Sequence, residues 1–147
     1  LGKQGKGSTP IAALGTVDQH SQLQLYNDGP NDKTYTFLVE DSRQKGLLPN
    51  AYVYTDAKLS YLEDKTMGDL LYAEARATID SLVKVERPLR AVAFKALDET
   101  VLGELLAHFM LETILTAELL NLDAFDQPGV EESKRLTRHY LADKKAS

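Results

Sequence analysis

The spacing of apolar and polar positions divides this chain into helices and two short strands. Thr16-Val17-Asp18-Gln19 fits a capping box, with Thr16 as N-cap and Gln19 three residues on, so a helix is expected to run to about Asn27. Asp28-Gly29-Pro30 is a strong stop signal. Thr34 to Val39, TYTFLV, is rich in β-branched and aromatic residues and predicts a strand. Ser60-x-x-Glu63 and Thr66-x-x-Asp69 read as further helix starts, and MGDLLYAEARATIDSLV carries an amphipathic helix. Leu89 to Phe94, LRAVAF, predicts a second strand. Asp98 or Thr100 starts a long apolar helix to about Asn121, and Pro128 opens a last helix to about Leu141. Strands alternating with long helices predict an α/β fold with a parallel sheet, helix-rich because few strands are visible. No repeat, low-complexity tract or interdomain linker interrupts residues 1–147, so one domain is expected.

Composition narrows the chemistry. There is no cysteine, which removes disulfides, thiolate catalysis and cysteine zinc sites. A net charge of -5 with no basic block argues against nucleic acid as partner. The most apolar stretch, Val101 to Leu122, is interrupted by Glu104, His108, Glu112 and Glu118. It therefore reads as the buried helix of a soluble protein rather than a membrane span, and a cytoplasmic location is expected. The opening LGKQGKGST tempts a phosphate-loop reading, because Gly2 and Gly7 have the right spacing. It fails, since Ser8 stands where the lysine belongs and no strand precedes it. No G-x-S-x-G elbow is present to support a serine triad.

Three places could carry chemistry. If Thr16 is the N-cap, His20 is the fourth helical residue, close to the positive end of the macrodipole, where the field disfavours imidazolium. A ring poised near neutrality serves as general acid or base. A surface histidine is the plainer alternative, and local sequence alone favours it. In AFDQPGVEESKR, residues 124–135, Pro128 pushes Gln127 out of the α region and makes it the N-cap. Lys134 follows seven residues later on the same face, about 10 Å along the axis. An amide and an ammonium so placed could line a cleft for a long, hydroxylated, anionic ligand; a capped helix with a solvated Glu/Lys face is the alternative. Glu104, His108 and Glu112 form an i, i+4, i+8 stripe that could offer metal ligands, but no partner ligand from a second element is marked. His139, near the end of the last helix, complements the dipole and reads as structural.

Two segments together carry a resemblance. GTVDQHSQLQLYNDGP and FDQPGVEESK resemble the two most distinctive stretches of the glucose-6-phosphate isomerase family, in its shorter bacterial form. MGDLLYAEARATIDSLV and LDETVLGELLAHFMLETI are similar to the same family in the same order, so the likeness covers essentially the whole chain. The resemblance implies an aldose-ketose isomerase interconverting glucose 6-phosphate and fructose 6-phosphate, with no metal, nucleotide or other cofactor. It implies a sugar-isomerase (SIS) α/β domain and a homodimer in which the histidine reaches the neighbouring subunit's site. It assigns ring opening to His20 and Lys134 as catalytic residues, and substrate binding to Gln127.

The family's catalytic glutamate lies in a short E-S-x-G-K-like motif, whereas this chain opens LGK on Leu1. The phosphate-binding Ser/Thr loop and an active-site arginine belong to still earlier segments of the family. The expectation is therefore a C-terminal portion of the enzyme, truncated at its N-terminal side, inactive by itself and partnered by the missing N-terminal part. A standalone SIS-like module that binds sugar phosphates without turnover is the alternative, and a helical interaction domain is a third.

Overall fold

The structure is a computed structural model and describes residues 2–49 and 57–142. It divides into two compact units, one of Ile11–Glu104 and one of Leu1–Pro10 with Leu105–Ser147. In order along the chain come α1 (Gly15–Asp28), β1 (Tyr35–Glu40), a 3-10 helix (Ala57–Leu62), α2 (Met67–Lys84), β2 (Leu89–Phe94), α3 (Glu99–Leu119) and α4 (Pro128–Ala142).

Within Ile11–Glu104 the two strands pair in parallel, with Tyr35 opposite Leu89 and Glu40 opposite Phe94. The crossover between them is α2, which packs on both strands, and α1 packs on α2. This is the expected helix-rich α/β arrangement. The first strand sits one residue later than TYTFLV predicts, and the second coincides with LRAVAF. Alternation along β1 half-buries Tyr35, Phe37 and Val39 and exposes Thr36, Leu38 and Glu40. Parallel sheets are ordinarily covered on both faces; here Leu38 is 51% exposed. Leu82, fully buried on α2, and Thr78 beside it form the centre of this unit.

The helix ends follow local chemistry, with two corrections. Thr66 and Asp69 form the expected capping box: Asp69 N–H donates to Thr66 Oγ1 at 3.1 Å, and Asp69 Oδ2 accepts from Thr66 N–H at 2.9 Å. Asp98 caps α3 by accepting from Val101 N–H at 2.8 Å. Asn121, at φ 52°, ends α3 in the left-handed conformation, and Leu122 N–H returns to Ala117 O at 2.8 Å. By contrast, α1 starts at Gly15 with Leu14 as N-cap, so the Thr16–Gln19 box does not form. Asp18 takes its place, accepting from Leu14 N–H. Gln19 is drawn instead to the buried Thr78 hydroxyl of α2, 3.0 Å away. A tertiary partner has outcompeted a local one. The Ser60–Glu63 start is likewise not used: Ser60 lies inside the 3-10 helix and donates to Ala57 O.

At its far end α1 is tied down by Arg87, which follows α2 and donates to the carbonyls of Asn27 and Gly29. Those carbonyls are orphans of the helix terminus, so the guanidinium acts as a remote C-cap.

In α3 the structure departs from the expectation of burial. Apolar residues lie all round it beside the Glu104, His108 and Glu112 stripe, yet of its residues only Ala117 is buried, and Leu106, Met110, Leu115 and Leu119 stand largely exposed. By length and composition it could cross a membrane. Glu104, Glu112 and Glu118 argue otherwise, because each carboxylate at bilayer depth costs about 2.5 kcal/mol or more. A helix so rich in apolar residues is the kind that larger folds bury.

Candidate functional site

Ligands of open α/β sheets bind beyond the carboxyl ends of the strands. In the Ile11–Glu104 unit a cleft of about 470 Å³ lies there. Its walls come from the first turn of α1, the loop after β1 and the first turns of α2. Thr16, Lys45 and Glu74 supply polar groups, and Met67, Leu70 and Leu71 an apolar floor. The loop is held closely: Gly68 N–H donates to Lys45 O at 3.0 Å, Met67 N–H to Leu47 O at 2.9 Å, and Ser42 Oγ to Gly68 O at 2.8 Å. Gln44 N–H donates to Asp69 Oδ1 at 3.0 Å, so one carboxylate serves both cap and loop. Those bonds, first the Thr66 amide and then the Gln44 amide, hold the Asp69 carboxyl below its ordinary pKa. Lys45 is an ion-pair partner of Glu40 at 2.9 Å. Thr16 and the α2 residues fall in stretches that carry the family resemblance, but only the strand-end rule points to the loop after β1.

His20 lies on α1, one turn beyond Thr16 and therefore on the same side of the helix. It is exposed. Because α1 begins at Gly15, His20 is its sixth residue rather than its fourth. The ring therefore lies beyond the first turn, the turn in which the field of the helix terminus acts. What the structure leaves is an accessible imidazole, one turn from the α1 residue that lines the cleft.

Gln127 and Lys134 belong to the other unit. Gln127 is the N-cap of α4 as expected, its carbonyl accepting from Val130 N–H at 3.0 Å. Lys134 lies on α4, exposed, with its ammonium on Glu131 Oε1 at 2.6 Å. Next to it Arg135 engages Glu132, holding that carboxyl below its ordinary pKa and raising the guanidinium's. Such exposed pairs are worth little, so an anionic or hydroxylated ligand could displace Glu131 from Lys134. The three predicted site residues thus sit on two units, His20 on one, Gln127 and Lys134 on the other.

Of the polar stripe on α3, His108 Nε2 and Glu112 Oε2 approach to 3.8 Å. Among the described residues no group of three or more His, Asp or Glu side chains converges as a metal site would require.

A family model described as phosphoglucose isomerase matches residues 6–147. A probable glucose-6-phosphate isomerase of Haloquadratum walsbyi is 44% identical over 146 residues, covering 99% of this chain and 33% of that protein. The glucose-6-phosphate isomerase of Carboxydothermus hydrogenoformans is 42% identical over 89% of this chain and 28% of its own length. Among solved structures, a hypothetical protein of Thermus thermophilus superposes with a TM-score of 0.81 at 37% identity, covering 95% of this chain and 34% of that one. The chain spans about a third of the length of the relatives it matches.

Proposed function

The chain belongs to the phosphoglucose isomerase family, and from that premise we propose that it is the C-terminal portion of an enzyme interconverting glucose 6-phosphate and fructose 6-phosphate. The observation that carries this reading is the match along almost the whole chain, at about 40% identity, to about a third of each relative. The open face of β1 and the uncovered apolar surface of α3 support it, being what a piece of a larger SIS fold leaves bare.

In this reading His20 works on the closed sugar. A pyranose must open before C1 and C2 can exchange a proton, and opening needs a proton on the ring oxygen. An imidazole whose ordinary pKa lies near neutrality can donate that proton and recover it. Lys134 contacts the same end of the sugar, and Gln127 lines the pocket through its amide. The proton shuttle between C1 and C2 belongs to a glutamate, and the phosphate cradle to a Ser/Thr loop, both in the N-terminal part of the enzyme. The complete enzyme is a cytoplasmic homodimer that needs no cofactor, and neither nucleic acid nor a membrane is a partner.

The test is a coupled spectrophotometric assay on the 147-residue chain, then on the chain mixed with the N-terminal part of the same enzyme. The chain alone is expected to be inactive. Loss of a general base alone typically costs about 10²–10⁴-fold, and loss of substrate anchoring multiplies it. Turnover by the chain alone, free of host isomerase, would mean that another carboxylate acts as base. Saturable sugar-phosphate binding without turnover even in the mixture would favour a binding module instead.

A further inference from the structure

The N-terminal segment has a feature that ring opening does not use. Lys3 O accepts from Lys6 N–H at 2.8 Å, and the residues between, Gln4 and Gly5, both have positive φ, 52° and 70°. That is the pattern of a type I′ turn, which places residues i and i+3 side by side. The two lysines therefore leave the turn together, and both reach the connection between α3 and α4. Lys6 Nζ donates to Leu120 O at 3.0 Å, at the carbonyl end of α3 where a cation is favoured. Lys3 Nζ donates to Asp123 O and to the carboxylate of Asp126. Asp123 in turn accepts from Phe125 N–H at 2.8 Å. The Lys3 side chain is only 15% exposed, while its partner Asp126 is 58% exposed, so the stem packs down and the ion pair lies at the surface. Charge-assisted bonds of that kind are about twice as strong as neutral ones.

We propose that the Lys3–Lys6 turn is a clasp that positions the Gln127 end of α4, with Lys3 as a positioning residue for the sugar-binding face. The chain from Leu120 to Asp126 is held at three points by two ammonium groups. Gln127, the next residue, caps α4, and the direction of α4 from that cap sets where Lys134 lies. The other ties of this connection lie at its start, where Leu122 N–H bonds Ala117 O at 2.8 Å and the Leu122 side chain is buried, so the clasp is what reaches its Asp126 end. The functional half of this inference rests on the isomerase reading; the mechanical half does not.

The experiment uses the intact enzyme carrying this sequence, with Lys3→Met and Lys3→Arg. Two quantities are read: kcat/KM on glucose 6-phosphate, and amide exchange along residues 120–131. Lys3→Met should speed exchange at Phe125 and Val130 at least tenfold while leaving α2 and the strands unchanged. It should lower kcat/KM at least tenfold, and Lys3→Arg should restore at least half of both. Unchanged exchange at Phe125 and Val130 would overturn the clasp, as would faster exchange spread over the whole chain. Altered exchange with unaltered kcat/KM would overturn its positioning role. An inactive wild-type enzyme would overturn the isomerase reading while exchange still decides the clasp. Should Lys3→Met fail to fold, Asp126→Asn removes the partner charge and is held to the same outcomes.

Discussion

Replacing Gly68 by alanine sets a local gain against a tertiary loss, and the structure decides which is larger. In a helix interior alanine is better than glycine by about 1 kcal/mol. At Gly68, however, an added Cβ would stand 1.9 Å from Ser42 O and 2.7 Å from Lys45 O, both backbone atoms. Ordinary contact begins near 3.4 Å, so the Ser42 carbonyl must retreat by about 1.5 Å. That retreat strains or breaks the bonds that hold the loop on α2: Gly68 to Lys45, Ser42 to Gly68, and Gln44 to Asp69. Each is worth about 1 kcal/mol, and overpacking a close contact adds about 1–3 kcal/mol. Net destabilisation of roughly 3–5 kcal/mol is expected, a large share of a domain's whole stability. Urea unfolding followed by circular dichroism measures it. Gly103 is the control, because in this chain a Cβ there meets nothing within 4 Å. Gly103→Ala should stabilise by up to about 1 kcal/mol. Loss of less than about 1 kcal/mol at Gly68, or equal effects at the two sites, would refute the claim that the close approach governs this helix start.

The remaining predictions concern the candidate site and acid stability. His20→Ala in the intact enzyme should slow turnover of cyclic glucose 6-phosphate more than that of a substrate supplied already open; equal losses would assign His20 another task. Lys134→Ala should lower turnover at least tenfold, about 1.4 kcal/mol in the transition state, while changing stability by under about 0.5 kcal/mol, since its partner Glu131 is an exposed neighbour. Normal kinetics in that variant would remove Lys134 from the site. Hydrogen bonding to Arg43 holds the Asp41 carboxyl at about 2, and bonds from Thr66 and Gln44 lower that of Asp69. Carboxyls depressed in the folded state add stability that is present above the unfolded value near 4 and is lost as pH falls toward the folded value. Stability should therefore drop between about pH 4 and pH 2, and Asp69→Asn should flatten that drop; an unchanged acid profile in the variant would disprove the contribution of Asp69.

What the sequence determined by itself was local. The Thr66–Asp69 box, the Asp98 cap, Pro128 behind Gln127 and the Asp28-Gly29 stop act within four residues of themselves, so their helix ends fall where the sequence places them. Runs of β-formers located both strands to within one residue for the same reason. The QH and FDQ motifs carried the family, because they are read as patterns before any fold is known. Tertiary structure decided the rest. Gln19 deserts its capping box because Thr78, far along the chain, offers a partner inside the α1–α2 contact. The approach of the loop after β1 turns Gly68 from a weak helix residue into a required one. Lys3 meets Asp126 across 123 positions of sequence, a contact no local pattern encodes. Apolar content says that a helix such as α3 must be covered, but not by what, because burial depends on which surfaces the whole polypeptide brings to it.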